Sequence, residues 1–184
     1  GRAPGGVGVV VGVLFGFLLL FPDVIFGFAY QNALLISSNT FFGHLVESGQ
    51  VADVFSMCLT KHGGALTLGG IGDYYSGIIK YTPLYGTHMY RVFMQDLLVG
   101  NTSIGISPSQ WNDGAGTIVD SGTTDLVLPA YAFLQLKSTF LSMCTSKQLK
   151  GICNVDPTQT LFDGYCFNMT SSEAAMFPPI EIVL

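Results

Sequence analysis

One stretch of the sequence, Gly116 to Pro129, combines residue types that could support acid–base chemistry. It reads GTIVDSGTTDLVLP and holds Asp120 in an Asp-Ser-Gly turn, where Gly122 lets the backbone approach the carboxylate closely. Three hydroxyl side chains beside the turn could donate hydrogen bonds to that carboxylate: Ser121, Thr123 and Thr124. Because such bonds lower the pKa of an acid, the stretch predicts a carboxylate tuned for proton transfer, whereas Asp-Ser-Gly alone indicates a surface turn.

Two apolar segments must position this carboxylate. Ile118 and Val119 predict the end of a buried strand, and Leu126 to Leu128 predict a second apolar limb that Pro129 closes. This pattern places Asp120 at the tip of a hairpin.

The rest of the chain predicts short strands with few helices. A cap at Asn39 or Thr40 and a stop at Gly49 predict a short helix within residues 39–54. Strands are predicted over residues 55–59, 65–68, 76–81, 90–99, 103–106, 165–168 and 180–184, with a turn at residues 63–64.

A longer amphipathic helix is predicted from Ala130 to Cys144. Lys137 lies on its polar side, opposite the apolar residues expected to face the core: Ala130, Phe133, Leu134 and Leu141. This helix would cover the back of the sheets.

Composition excludes several classes of protein. The 184 residues are 49% hydrophobic and only 10% charged, which indicates a folded domain with a sizeable core. The net charge is −5 and the seven Lys and Arg residues are scattered, so a nucleic-acid partner is not expected. The four cysteines and three histidines lack the spacing of a metal site, so neither a metal nor another cofactor is expected.

With its flanks, the Asp120 stretch resembles the second active-site loop of the pepsin-like aspartic peptidase family. Three further segments extend the resemblance: FPDVIFGFAY at residues 21–30, FSMCL followed by LTLGG within residues 55–70, and YTPL at residues 81–84. With these segments in the same order along the chain, the resemblance extends over residues 22–184. The resemblance implies an all-β fold with few short helices, in which each of two lobes contributes one Asp to a shared cleft.

The resemblance also implies how the chain is divided. Residues 22–60 match the end of the N-terminal lobe and the connection between lobes, and residues 61–184 match a C-terminal lobe that ends before its last strands. No second Asp-Thr-Gly or Asp-Ser-Gly occurs in the sequence. We therefore expect an incomplete pepsin-like fold, mainly the C-terminal lobe, whose missing N-terminal lobe carries the first catalytic Asp.

For function, the resemblance implies an aspartic endopeptidase acting on peptides or proteins. Asp120 would be the second Asp of the catalytic pair, and residues 121–124 would orient it. We expect this chain alone to be inactive. The alternative is a noncatalytic pepsin-fold protein that binds peptides or proteins, in association with a membrane.

Cysteines and glycosylation sequons suggest the compartment. The family commonly closes a disulfide in the region after the long helix, so the resemblance predicts a Cys153–Cys166 pair and leaves Cys58 and Cys144 unassigned. Two Asn-X-Thr/Ser sequons are candidate glycosylation sites: Asn101 and Asn168. These features favour the secretory or endolysosomal pathway, or the cell exterior.

The first 21 residues form an apolar segment. From Gly5 to Phe21 the sequence carries no charge, and these 17 residues reach the lower limit for a membrane-spanning helix. The segment could be the apolar part of a signal peptide, a membrane anchor or a core strand, or it could mark an artificial boundary of the sequence.

Overall fold

The computed structural model describes residues 27–30, 40–60, 63–73, 77–114, 116–123 and 125–184. The predictions for residues 1–26 and for Thr124 lie outside these ranges. Within them, no helix has the length and apolar character needed to cross a membrane.

Short strands and a few helices make up the described part of the chain. The helices are α1 (Phe41–Glu47), α2 (Pro108–Trp111), α3 (Ala130–Ser142) and α4 (Ser171–Ala174). The strands are β1 (Phe55–Thr60), β2 (Gly63–Leu68), β3 (Leu84–Tyr85), β4 (Arg91–Val92), β5 (Asp96–Val99), β6 (Thr102–Ser103), β7 (Thr117–Ile118) and β8 (Ile180–Val183). The chain forms two compact units, residues 1–93 with 115–126 and residues 94–114 with 127–184.

The first unit begins with the predicted short helix and hairpin. The Thr40 hydroxyl accepts a hydrogen bond of 3.1 Å from the Gly43 N–H and so caps α1. Strands β1 and β2 pair antiparallel, with Phe55 opposite Leu68. Both elements are confirmed, except that residues 63–64 belong to β2 rather than to the turn.

An aromatic cluster fills the first unit. The ring of Phe55 lies 4.9 Å from Phe28, 5.4 Å from Phe42 and 5.9 Å from Tyr90, measured between centroids. The Tyr90 hydroxyl donates a hydrogen bond to the Phe28 carbonyl oxygen. Burial, with smaller contributions from the nearby Tyr30 and Asp53, raises the pKa of Tyr90 to about 12. Tyr90 therefore anchors the start of β4 on this cluster.

Strand β4 is the centre of a three-stranded antiparallel sheet in the order β3-β4-β7. It faces Leu84 and Tyr85 on one side and Thr117 and Ile118 on the other. No strand is found over residues 77–81, so the prediction of a strand at 76–81 is wrong for the described part.

The long strand predicted at residues 90–99 is instead two short ones, β4 and β5. Asn112 explains the break: its side-chain oxygen accepts a hydrogen bond of 3.0 Å from the Met94 N–H, and its Nδ2 donates one of 2.8 Å to the Met94 carbonyl. Because a side chain satisfies both main-chain groups of Met94, that residue needs no strand partner.

The second unit is built on a sheet in the order β6-β5-β8. In β5, Leu97 and Val99 are buried under the sheet, and Val99 lies opposite both Thr102 and Ile180. The predicted strand at 180–184 is confirmed as β8. The strand predicted at 103–106 is wrong over residues 104–106, because β6 shares only Ser103 with it. The strand predicted at 165–168 is also wrong, since these residues pair with no strand in the described part.

Helix α3 covers this sheet with a different face from the predicted one. Its buried residues are Ala132, Leu136 and Phe140, one row at i, i+4 and i+8. The predicted face is wrong, since Leu134 is 62% exposed and its other members are also exposed: Ala130, Phe133 and Leu141. Because the helix carries apolar residues on several sides, the sequence alone does not predict which of these rows is buried against the core.

The disulfide joins Cys144 to Cys153, with 5.5 Å between their Cα atoms, and Cys166 is a free, exposed thiol. The predicted Cys153–Cys166 pair is therefore wrong. Cys144 lies in a 3-10 turn directly after α3, and the Cys153 N–H donates a hydrogen bond of 2.8 Å to the carbonyl of the fully buried Leu149. These local turns bring the two sulfur atoms together.

Two ion pairs hold the segment that follows the disulfide. Lys137 Nζ lies 2.8 Å from Asp163 Oδ1, and Lys150 Nζ lies 2.8 Å from Glu173 Oε1. Each carboxylate also accepts the N–H and hydroxyl of the threonine three residues earlier, Thr160 or Thr170. The lysine contact, followed by the threonine donors, lowers the pKa of Asp163 to about 2 and that of Glu173 to about 2.

The Asp163 contacts predict a loss of stability in acid. Its pKa is about 2 in the folded chain and 3.8 by reference, so its contribution is fully present above about pH 4 and is lost as the pH falls through about 2. We expect Asp163→Asn to lower the thermal midpoint at pH 5, and the difference from the unaltered chain to shrink as the pH falls below about 4 and to disappear below about pH 2. Asp73→Asn, at an exposed position, is the control. A difference that does not depend on pH would contradict the prediction.

Candidate active site

Asp120 lies two residues after the end of β7, and the intervening Val119 N–H donates a hydrogen bond of 2.9 Å to the Tyr90 carbonyl oxygen. The predicted hairpin is not formed, because residues 125–129 contain no strand. The strand before Asp120 is also not buried as predicted, since Ile118 is exposed and Val119 is half-buried, and Asp120 itself is exposed. Beyond Asp120 the chain passes through a turn and an extended segment to Pro129, which precedes the first turn of α3. The loop is therefore supported by strand pairing on its N-terminal side.

Two hydrogen bonds orient the Asp120 carboxylate. The Gly122 N–H donates to Oδ1 at 2.8 Å, and the Thr123 hydroxyl donates to Oδ2 at 2.7 Å. A side chain at position 122 would place its Cβ 3.2 Å from Oδ1, so the carboxylate would have to shift by a few tenths of an ångström. The Thr123 hydroxyl and then the Gly122 N–H lower the pKa of Asp120, against a smaller opposing effect of burial.

The other two predicted support residues do not join this arrangement in the described structure. Ser121 is exposed, and none of the hydrogen bonds of the described residues links it to Asp120. Thr124 lies outside the described residues. The structure thus brings Gly122 and Thr123 to the carboxylate.

The arrangement favours an ionised, solvent-accessible carboxylate held in one orientation. Such a group can accept a proton from a water molecule, which is the task of a general base. Among the described residues, no group of three or more His, Cys, Asp or Glu side chains could hold a metal ion.

Sequence reasoning missed two supporting residues, one directly before β4 and one in it. Tyr90 provides the carbonyl that holds Val119, and Arg91 lies directly opposite Ile118 in the sheet. The alternation of residues 90–95 between two faces of a strand was the available signal. It could not reveal that β7 is the neighbouring strand.

Both glycosylation sequons lie at the surface. Asn101 occupies the turn between β5 and β6, and Asn168 precedes α4; both side chains are exposed. Their glycosylation stays a prediction.

Comparison with known proteins identifies the family of this chain. The profile of the family described as "Eukaryotic aspartyl protease" matches residues 17–178. The chain is 30% identical over 164 residues to "Aspartic proteinase 36" of Arabidopsis thaliana, which covers 87% of this chain and 30% of that protein. It is 36% identical over 110 residues to "Beta-secretase" of Strongylocentrotus purpuratus, covering 59% of this chain and 18% of that protein.

A third relative is "Pepsin B" of Canis lupus familiaris, with 31% identity over 114 residues, 58% of this chain and 28% of that protein. The chain thus matches 18% to 30% of the length of these three relatives. The prediction of a mainly β, pepsin-like fold is confirmed. Because the family match spans β4, β7 and the whole Asp120 loop, this chain belongs to the eukaryotic aspartyl protease family.

Proposed function

We propose that the full-length protein is an aspartic endopeptidase and that Asp120 is one of its two catalytic carboxylates. The observation that carries this proposal is the geometry of Asp120: each of its carboxylate oxygens accepts a short hydrogen bond from its own loop. Family membership supports the reaction class. The first carboxylate is assigned to an N-terminal lobe, so this chain by itself is inactive on this proposal.

In the proposed mechanism the two carboxyl groups share one proton, because two carboxyl groups at close range do not both ionise readily. The ionised acid takes a proton from a water molecule as that water attacks the peptide carbonyl carbon. The protonated acid donates its proton to the carbonyl oxygen, which gives a neutral tetrahedral diol. The carboxyl that took the water's proton then gives it to the peptide nitrogen, and a hydroxyl of the diol gives its proton to the other carboxylate as the C–N bond breaks. This leaves a carboxylic acid and an amine and restores the shared proton of the pair.

In this mechanism the protein's own residues hold the acid in place. The Gly122 N–H and the Thr123 hydroxyl keep both oxygens of Asp120 in fixed positions, which lowers the cost of orienting it during the reaction. The same bonds favour the ionised form. The substrates are peptides or proteins, and the disulfide and the exposed sequons support a secretory or endolysosomal location.

The proposal is tested by incubating the purified full-length protein with an unfolded protein substrate over a range of acidic pH. We expect cleavage that is blocked by a peptide carrying a hydroxyl-bearing carbon in place of the scissile amide, because that group mimics the tetrahedral intermediate. If the protein binds the same peptide but cleaves nothing, the alternative of a noncatalytic peptide-binding protein is favoured.

The hydroxyl of Thr123 gives a prediction for the pH profile. Thr123→Val keeps the shape of the side chain but removes the donor to Oδ2, so the pKa of Asp120 should rise toward its ordinary value. A base with a raised pKa is protonated at higher pH, so the acid limb of the kcat/KM profile should move to higher pH. We expect kcat/KM below that limb to fall about tenfold for each unit of the shift.

Ser121→Ala is the contrasting variant. It also removes a hydroxyl from the loop, but that hydroxyl donates no hydrogen bond to Asp120 in the described structure. Its acid limb should stay in place. Equal shifts for the two variants would show that Thr123 has no special role.

A further inference from the structure

The side chain of Arg91 reaches the start of the strand that leads to Asp120. Arg91 lies in β4 directly opposite Ile118 of β7, so both side chains are on the same face of the sheet. Asp120 follows Ile118 by two residues. Arg91 is partly buried, in a region of the first unit that also includes a small cavity lined by Gly86, Met89 and Arg91 itself.

Two glycines make room for this side chain. At Gly116, φ is +67°, and a Cβ would lie 2.7 Å from Nη2 and 3.1 Å from Nε of Arg91. At Gly86, a Cβ would lie 3.4 Å from Arg91 Cδ. The guanidinium group therefore lies against the backbone of Gly116, and the aliphatic stem passes over Gly86. Any larger residue at position 116 would have to displace the guanidinium group.

Strand β7 needs such support because it is short and lies at the edge of its sheet. It consists of Thr117 and Ile118, and β4 is its only sheet neighbour in the described residues. Two-residue pairings contribute little stability by themselves. A contact before the strand, at Gly116, and the Val119–Tyr90 hydrogen bond after it would hold both of its ends.

We propose that Arg91 is a positioning residue for Asp120: by packing against Gly116 it fixes β7, and through β7 it fixes the catalytic carboxylate. This inference rests on the proposed function. Displacement of a catalytic group by about 1 Å can lower a rate on the order of 100-fold, so loss of this contact should affect turnover more than substrate binding.

The test is steady-state kinetics of the full-length protein with Arg91→Met, which keeps most of the stem and removes the guanidinium group. We expect kcat to fall by about 10- to 100-fold and KM to change by less than about twofold. The control is Lys80→Met, which makes the same charge change at an exposed position of the same unit. Its kcat should match that of the unaltered protein.

A double-mutant cycle with Gly116→Ala separates positioning from general destabilisation. Alanine at position 116, where φ is +67°, carries the same backbone strain in both backgrounds. In the unaltered protein the new methyl group must also displace the guanidinium group, whereas the Arg91→Met background has no guanidinium group to displace. The reduction in kcat caused by Gly116→Ala should therefore be several-fold smaller in the Arg91→Met background. If Arg91→Met does not fold, Arg91→Lys, which lacks the planar fork, replaces it in the cycle.

Three results would overturn the inference. An active protein whose kcat is unchanged by Arg91→Met refutes the role of Arg91 and leaves the proposed function intact. Independent, multiplicative effects of the two substitutions refute the contact as the cause. Failure of the unaltered full-length protein to cleave any substrate refutes the proposed function itself, and the positioning role with it.

Discussion

Asp120→Asn in the full-length protein should lower kcat/KM by about 1,000-fold or more while leaving the fold in place. Asparagine has nearly the same shape as aspartate and can still accept the hydrogen bond that the Gly122 N–H donates to Oδ1. It is neutral, however, and cannot take a proton from the attacking water. Because the side chain is exposed, the substitution creates no buried cavity, and the urea midpoint should change little.

The matched control for this prediction is Asp125→Asn. Asp125 is an exposed carboxylate in the same loop, five residues further along the chain, and it receives neither of the two hydrogen bonds that orient Asp120. Its variant should retain most of the activity. Substantial cleavage by Asp120→Asn, or an equal loss in both variants, would refute the assignment of Asp120 as a catalytic carboxylate.

Phe140→Ala should cost about 3 to 5 kcal/mol of the free energy of unfolding of the second unit. Phe140 is only 4% exposed, and its ring lies 5.6 Å from that of Phe162 and 6.4 Å from that of Phe177. Removing the ring leaves a cavity between α3 and the segment held by the two ion pairs. Trp111, the single tryptophan of the chain, is buried in the same core and reports unfolding in urea by its fluorescence.

Leu134→Ala is the control within the same helix. Leu134 is 62% exposed, so its truncation should change the free energy of unfolding by no more than about 0.5 kcal/mol. The comparison also tests which face of α3 is buried. If Leu134→Ala lowered the free energy of unfolding more than Phe140→Ala, the result would support the buried face that was predicted from the sequence.

Features that depend on a few neighbouring residues could be predicted from the sequence. The Thr40 cap and α1, the β1–β2 hairpin and the Asp-Ser-Gly turn all appear where the local pattern places them. Within that turn the donors to the carboxylate lie two and three residues after it. Chain geometry brings groups this close together, so residue type and spacing indicated Gly122 and Thr123 correctly, although Ser121, predicted on the same grounds, is not among the donors.

Features that depend on distant contacts required the tertiary structure. The sequence offered several apolar rows on α3, and the core of the second unit selected the one that contains Phe140. It offered several cysteine pairs, and the turns after α3 joined Cys144 to Cys153. It predicted one long strand where the Asn112 side chain, 18 residues from Met94, imposes two.

The contacts that hold the Asp120 loop also divide into local ones, which the sequence predicts, and distant ones, which it does not. The donors to Asp120 could be predicted from residue order, because the donors and the carboxylate are only two and three residues apart in the chain. The pairing of β7 with β4 and the position of Arg91 against Gly116 could be found only in the folded chain. Pairing between strands depends on register and packing between segments far apart in the chain, which local propensity does not encode.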